Sequence, residues 1–201
     1  MSACAGSAPT SSAWTREAAA LMALAEQSQE PRRTSVRVRV AGDGKANVDT
    51  GLPVLDHLVT LMSAYAGFDL SLEVAPGDAL VEVADAGRAL GESLIEPLGA
   101  ERARRHGSGV VPAAEALAQV ALEAGGGPLV RSNVDLSEAR VGGLGTDVVA
   151  RFLHELAQGA GLNLHVRLIE GTETQHVLEA IFKALGVALG QACAIRPRGE
   201  Q

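Results

Sequence analysis

Three side chains capable of chemistry follow one another within the segment Gly171–Leu189. His176 and Glu179 are three residues apart, and Lys183 follows one further helical turn on. Residues three or four apart share one face of an α-helix, so the spacing predicts a histidine, a carboxylate and a lysine stacked near a helix start. Such a set suits a metal ion or an anionic ligand.

Each of these side chains also has a purely structural interpretation. His176 and Glu179 fit a helix start that the helix dipole favours, and Lys183 fits an i,i+4 partner of Glu179 worth about 0.3 kcal/mol. His57 follows Asp56 on a predicted helix and could simply pair with it. His165 alternates with the apolar residues of its strand, which places it away from the core. Spacing alone leaves both interpretations open.

Composition narrows the class of protein. The 201 residues are 47% hydrophobic, which is enough to bury one core or two small fused ones, and the net charge of −7 argues against nucleic acid as a partner. Cys4 and Cys193 stand far apart with no CxxC spacing, which favours a reducing compartment. No apolar run approaches the ~18 residues of a membrane span. We expect a cytoplasmic protein that binds neither nucleic acid nor membrane.

The chain after its first 31 residues follows one pattern twice. Residues 1–31 are small and polar, and predict a disordered extension with a short helix at Glu17–Gln27. Beyond them, strand, strand, helix, strand, helix is the predicted order in each half. The first half predicts Ser35–Val40, Ala46–Val48, a helix at Pro53–Ala66, Phe68–Val74, a short strand or turn at Leu80–Ala84, and a helix from Asp85 to Leu98. The second half predicts Ala116–Leu122, Leu129–Asn133, a helix at Asp147–Ala160, Leu162–Leu168 and a helix at His176–Ala194.

An internal repeat supports this duplication. Arg88-Ala89-Leu90-Gly91 matches Lys183-Ala184-Leu185-Gly186 in the last helix of each half. We therefore predict an α+β fold with repeats at 32–103 and 104–201, each a four-stranded sheet with two helices on one face. The two sheet–helix layers are expected to face each other. Glycine-containing turns at 42–44 and 125–127 predict hairpins.

Four motifs then resemble those of imidazoleglycerol-phosphate dehydratase, an enzyme family of histidine biosynthesis. They are TGLPVLDHL at Thr50–Leu58, RRHGSGVVPAAEAL at Arg104–Leu117, LNLHVRL at Leu162–Leu168 and GTETQHVLEAIFKAL at Gly171–Leu185. The resemblance runs in register from about Arg32 to Ala194. It implies a duplicated fold like domain 2 of ribosomal protein S5, subunits that assemble from trimers, and a pair of manganese ions between subunits.

The resemblance also implies roles for particular residues. His57, His165, His176 and Glu179 stand at positions of the family's manganese ligands. Arg105 and Lys183 stand at positions that hold the substrate phosphate. In the family the metals bind the substrate imidazole and carboxylates move protons, so that imidazoleglycerol phosphate loses water to give imidazole acetol phosphate.

Several family residues are missing from this chain. The first of two HHxxE motifs is absent, because Leu80–Ala84 holds no histidine, and Gln175 replaces a histidine of the second. A glutamate of the entry strand is lacking after Arg33, and Gly127 stands in place of an anion-binding arginine. Half of the family's metal ligands are gone, so we expect manganese, if any, at a reduced site.

Three hypotheses follow. The chain is an active dehydratase, a catalytically impaired paralogue that serves as a structural or regulatory subunit or a phosphate-ligand binder, or an enzyme with a one-metal site. The missing ligands favour the second on residue chemistry, whereas the extent of the resemblance makes the dehydratase the natural family assignment. No residue is assigned as catalytic at this point.

Overall fold

The computed structural model describes residues 33–134, 140–141 and 144–197. The extension predicted at 1–31, with its short helix, lies outside the described residues. The elements in chain order are β1 Ser35–Arg39, β2 Ala46–Asp49, α1 Pro53–Ala66, β3 Asp69–Glu73, α2 Ala79–Gly99, β4 His106–Ala113, β5 Ala116–Ala124, β6 Leu129–Ser132, β7 Arg140–Val141, β8 Leu144–Gly145, α3 Thr146–Ala160, β9 Leu162–Glu170 and α4 Thr174–Cys193.

The two main sheets repeat one topology, which confirms the duplicated α+β fold. In the order β1-β3-β2, strand β3 is antiparallel to β1 and parallel to β2. In the order β4-β5-β9-β6, strand β9 is likewise antiparallel to β5 and parallel to β6. The first sheet has three strands within the described residues, not the predicted four. A counterpart of β4 would have to precede β1, and the residues before 33 are not described.

Both predicted hairpins are wrong. Strand β2 was expected to return beside β1, and β6 beside β5, but in each case a later strand lies between the two. Glycine turns and alternating side chains indicate where strands lie and which face of each strand is buried, but they do not determine which two strands pair in the sheet. Strand β4 was not predicted, because Gly107, Gly109 and Pro112 interrupt its pattern.

The helices of the two halves pack against each other between the sheets. Helix α1 packs on α4 and α2 packs on α3, while α4 also covers β4 and β5. Leu, Val and Ala supply most of one continuous buried cluster, and Phe152 and Phe182 stack within it with ring centroids 5.7 Å apart. The predicted arrangement of facing layers is therefore confirmed, and both halves share a single core.

The repeated glycine explains the internal sequence match. A Cβ on Gly186 of α4 would lie 2.3 Å from the Met62 carbonyl oxygen of α1, and one on Gly91 of α2 would lie 2.6 Å from the Leu156 carbonyl oxygen of α3. Real Cβ atoms do not approach so closely. The same glycine thus lets each pair of helices cross at short distance.

Helix α2 begins earlier than the sequence predicts. Leu80–Ala84, predicted as a strand or turn, forms its first turn, and Asp78 rather than Asp85 is the N-cap. The Asp78 carboxylate accepts a hydrogen bond from the Leu80 backbone N–H at 3.0 Å. The short apolar run was ambiguous between strand and helix, and the cap decides it.

Helix α4 is long enough, and on average apolar enough, to meet the length and composition of a membrane span. Two thirds of that stretch is nevertheless buried inside the protein, at 67%. Its apolar residues pack on α1 and the four-stranded sheet. These properties are those of a core helix.

Candidate functional site

An open groove between α1 and α4 brings two of the sequence-predicted residues together. The His57 Nε2 atom on α1 lies 3.5 Å from the Glu179 Oε1 atom on α4. The groove has a volume of about 260 Å³. Four apolar and three polar side chains line it, and the full set is Pro53, Val54, His57, Leu58, Gln175, Leu178 and Glu179.

Glu179 is the centre of this cluster. Its Oε1 atom accepts a hydrogen bond from Gln175 Nε2 at 3.2 Å, and its Oε2 atom lies 3.5 Å from Lys183 Nζ. Burial acts to raise the pKa of Glu179, but the Gln175 hydrogen bond and the charge of Lys183 outweigh it, so the pKa lies below its ordinary value. The groove therefore holds an ionised carboxylate beside a cation.

His57 faces this carboxylate because its neighbour Asp56 is engaged elsewhere. Asp56 Oδ1 accepts hydrogen bonds from the Thr50 hydroxyl at 2.6 Å and the Thr50 backbone N–H at 2.9 Å. Asp56 thus closes the segment that leads into α1, where Pro53 supplies the first helical residue. The structural alternative, an exposed His57–Asp56 pair, is not what the structure shows.

His176 lies at the start of α4 but contacts a different element. Its Nδ1 atom is 2.5 Å from the Oε2 atom of Glu115, in the turn between β4 and β5. Sequence reasoning missed Glu115, which stands 61 residues before His176. Only the hairpin that β4 and β5 form brings the two together, and β4 was itself not predicted.

His165 lies apart from the groove. It is exposed on the outer face of the four-stranded sheet, between Ala121 of β5 and Arg131 of β6 in the strand register. The helices cover the opposite face of this sheet, which carries Leu164 and Val166. The predicted outward direction of His165 is confirmed, and in one chain it joins neither His57 nor His176.

The two residues expected to hold phosphate also lie apart. Arg105 precedes β4, where its Nε atom donates to the Leu98 carbonyl oxygen at 3.2 Å and its backbone N–H donates to the Ala192 carbonyl oxygen at 2.9 Å. Ala192 is near the end of α4, whereas Lys183 is in its first half. At about 1.5 Å per residue, roughly 14 Å of helix separates these positions.

The start of α2 shows what the first half carries in place of this cluster. Arg88 and Lys183 each stand nine residues after the first residue of their helix. Counting back equally, Leu80, Val81 and Ala84 of α2 correspond to Gln175, His176 and Glu179 of α4. Leu80 and Val81 are 52% and 55% exposed. The start of the first-half helix is thus present, but its three matching positions carry no side chain that could bind a metal ion.

The manganese that the fold family implies can be tested against this donor set. His57 and Glu179 form a pair, His176 is engaged by Glu115, and His165 is on another face. Within the described ranges, no three His, Cys, Asp or Glu side chains of one chain are placed to hold a metal ion. A divalent manganese ion needs several oxygen or nitrogen ligands in fixed geometry. The residues of a single chain therefore do not fit a closed manganese site.

Sequence comparison identifies the relatives of this chain. Residues 50–189 match the family model described as imidazoleglycerol-phosphate dehydratase. The protein of that name from Desulforudis audaxviator is 41% identical over 182 residues, which is 87% of this chain and 92% of the relative. The one from Bacillus subtilis is 38% identical over 184 residues, or 88% of this chain and 94% of the relative.

Solved structures of the same name share the fold. The crystal structure of imidazoleglycerol-phosphate dehydratase from Staphylococcus aureus has a TM-score of 0.75 at 31% identity, and the match covers 84% of this chain and 97% of that one. The Pyrococcus furiosus structure, in complex with (S)-C348, has a TM-score of 0.73 at 28% identity and covers 86% and 96%. The similarity thus extends over nearly all of the described residues.

Proposed function

Since the chain belongs to the imidazoleglycerol-phosphate dehydratase family, we propose that it is a lyase of histidine biosynthesis that dehydrates imidazoleglycerol phosphate to imidazole acetol phosphate. The observation that carries this proposal is the groove in which His57 meets the ionised Glu179, with Lys183 at the second carboxylate oxygen. The groove combines apolar side chains that suit a flat ring with polar side chains that suit its nitrogens.

The groove residues divide the work of binding. Glu179 accepts a hydrogen bond from an imidazole N–H of the substrate, because an ionised carboxylate is purely an acceptor. Leu58 and Leu178 contact the ring and exclude water from it. The positive charge of Lys183 compensates the negative charge of the partly buried Glu179 carboxylate.

The reaction removes a proton from one substrate carbon and a hydroxyl group from the next, so that an enol forms and then becomes the ketone. A group in the groove must accept the proton and a group must protonate the leaving hydroxyl. With no metal on its ring, His57 beside Glu179 is the group that we propose accepts the proton from the substrate carbon, and its side chain is 55% exposed, so water reaches it.

Manganese enters this proposal only at a reduced site. When bound, the metal would polarise the substrate imidazole. His57 and Glu179 are the two residues of one chain that could hold it together, and further ligands, such as His165 and His176, would come from other copies of the chain. In their own chain, His165 lies on the outer face of the sheet, and the His176 Nδ1 atom contacts Glu115.

The same reasoning supports a homo-oligomer built from trimers. Arg105 precedes β4 and contacts Ala192 near the end of α4, whereas Lys183 lies in the first half of α4, so a phosphate that both contact would have to lie between different copies. We propose no nucleic-acid or membrane partner, and we place the protein in the cytoplasm, where phosphorylated metabolites are retained.

The alternative function from the sequence analysis depends on residues that depart from the family motifs. Gln175 replaces a family histidine and donates a hydrogen bond to Glu179, while Leu80 and Val81 occupy the matching first-half positions. These features fit a catalytically impaired paralogue that binds the phosphorylated imidazole as a structural or regulatory subunit. It shares the groove with the first proposal and differs from it in turnover.

One experiment separates the two functions. The full chain, purified with Mn²⁺ present, is given imidazoleglycerol phosphate, and binding is followed by isothermal titration while the ketone product is assayed. Turnover at ~1 s⁻¹ or more supports the dehydratase, and binding without turnover supports the impaired paralogue. Loss of binding in both E179Q and K183A, but not in the surface control E123Q, locates the site in the groove.

The phosphate assignment has its own test in the same titration. R105A and K183A are both expected to weaken binding of imidazoleglycerol phosphate, and to leave binding of imidazole alone less affected. Binding unchanged by both substitutions would show that the phosphate lies elsewhere. If the wild type showed no binding and no turnover, both proposed functions would be contradicted.

A further inference from the structure

The contact between Glu115 and His176 lies outside the groove and has no role in the proposal so far. We propose that Glu115 is a positioning residue, which fixes the ring orientation and tautomer of His176 so that its Nε2 atom presents a lone pair. The group that Nε2 contacts depends on the proposed function, whereas the tautomer of the His176 ring does not.

The turn that carries Glu115 is short and strained. Ala113 pairs with Ala116 in the β4–β5 register, so Ala114 and Glu115 alone connect the strands. Ala114 has φ = 48°, a left-handed conformation that favours glycine and is unfavourable for alanine. Strain of this kind persists where the surrounding structure requires it, and it points to a constrained place in the molecule.

The residues just before α4 contact the same turn. Gly171 has φ = 133°, and a Cβ at this position would lie 2.7 Å from the Ala116 Cβ atom. The Glu115 Oε1 atom accepts a hydrogen bond from the Glu173 backbone N–H at 3.0 Å, and Glu173 is the N-cap residue of α4. The turn therefore holds the start of the helix as well as the histidine.

The charge of Glu115 decides which nitrogen of His176 carries the proton. Its Oε1 atom accepts a hydrogen bond from the Glu173 backbone N–H at 3.0 Å, and such a hydrogen bond favours the ionised carboxylate. An ionised carboxylate accepts hydrogen bonds and cannot donate one. The Nδ1 atom of His176, 2.5 Å from Glu115 Oε2, must therefore be the donor. In the neutral ring the lone pair is then on Nε2.

This arrangement gives the start of α4 polar contacts with two different elements. Glu179 faces α1 and the groove, while His176 faces the β4–β5 turn. A carboxylate that holds one ring nitrogen of a histidine is the usual support for a histidine that acts through the other nitrogen. With the His176 side chain 37% exposed, that nitrogen can meet a group from outside the chain.

Nitrogen NMR of the histidine rings tests the proposal on the full chain without metal or substrate. Protonated and lone-pair ring nitrogens resonate far apart, and H176Q identifies the signals of His176. In mildly alkaline buffer, the wild type is expected to show the Nδ1–H tautomer. In E115A the ratio of Nδ1–H to Nε2–H is expected to fall roughly tenfold, which corresponds to one charge-assisted hydrogen bond.

Two further variants separate positioning from a structural effect. E115Q keeps an acceptor oxygen and is expected to restore part of the Nδ1–H population, while E123A removes an exposed glutamate of β5 and should change nothing. A wild type with the proton on Nε2, or an E115A protein with an unchanged tautomer ratio, would overturn the proposal. A correct tautomer in a protein without turnover would instead refute the dehydratase activity alone.

Discussion

Glu155 offers a quantitative test of how the two halves are held together. This α3 residue is 4% exposed, and its Oε2 atom accepts hydrogen bonds from Arg88 of α2, from Nε at 3.2 Å and from Nη2 at 2.8 Å. Its Oε1 atom is 2.8 Å from Arg151 Nη2. Both arginine side chains are about half exposed, so the carboxylate is buried and its partners are not.

The expected loss grows faster than the number of arginines removed. R88M should destabilise the protein only slightly, because solvent screens Arg88 and Arg151 still pairs with Glu155. R88M/R151M leaves a buried carboxylate without a cation and should cost about 3–5 kcal/mol. Adding E155Q to this double variant should recover about 1–2 kcal/mol, since a buried neutral amide is less unfavourable than an unpaired charge.

Urea unfolding followed by far-UV circular dichroism at neutral pH measures these differences. R167M, which removes an exposed arginine of β9, is the matched control and should stay within about 0.5 kcal/mol of the wild type. If the double variant lost no more than the sum of its two single variants, and E155Q recovered nothing, the unpaired carboxylate would not be the source of the effect.

The same pair predicts a dependence on pH. The hydrogen bond from Arg88 lowers the pKa of Glu155 despite its burial, below the ordinary value of 4.5. The folded state thus binds this proton less readily than the unfolded state, and the pair stabilises the protein above pH 4.5. This contribution is lost as the pH falls below 4.5 through the folded pKa. The acid slope of stability should be flatter in E155Q than in the wild type.

Three further predictions concern packing, capping and catalysis. G186A places a methyl group against the Met62 carbonyl oxygen and should destabilise the protein by about 3 kcal/mol in urea unfolding; an effect below about 1 kcal/mol would refute the close crossing. D78A removes the cap of α2 and should cost about 1 kcal/mol in the same assay, whereas an unchanged midpoint would mean that Asp78 does not cap. Q175H alone should fail to raise the dehydration rate, because Leu80 remains in the first half, and a tenfold gain would contradict this.

Much of the fold could be predicted because the two halves share strong patterns. Alternation placed β9, and helical periodicity placed α1, α3 and α4 within a few residues. The RALG and KALG match correctly indicated the duplication. The prediction of strand pairing was wrong, because no local pattern indicates that β3 and β9 insert between two strands that are closer to each other in sequence. The predicted start of α2 was wrong because a polar N-cap residue, and not the hydrophobic periodicity, determines where the helix begins.

The candidate site was predictable only as far as spacing along one helix allows. His176, Glu179 and Lys183 lie on one helix with the expected spacing, but His176 contacts the β4–β5 turn and Glu179 contacts His57 of α1. Whether they share one site in the assembled protein stays a prediction. Glu115 gave no sequence signal, because its effect depends on a turn that brings distant segments together.

The exposed first turn of α2 has a consequence for protein engineering. Leu80 and Val81 are each more than half exposed, so the core does not depend on them, while Gly91, about three turns later, makes the contact with α3. Chemistry and packing therefore occupy different stretches of the same helix, and one can be rewritten without the other. A chain with histidines at positions 80 and 81 and a glutamate at 84 is expected to fold as the wild type does. Such a chain would carry matching donor sets in both halves.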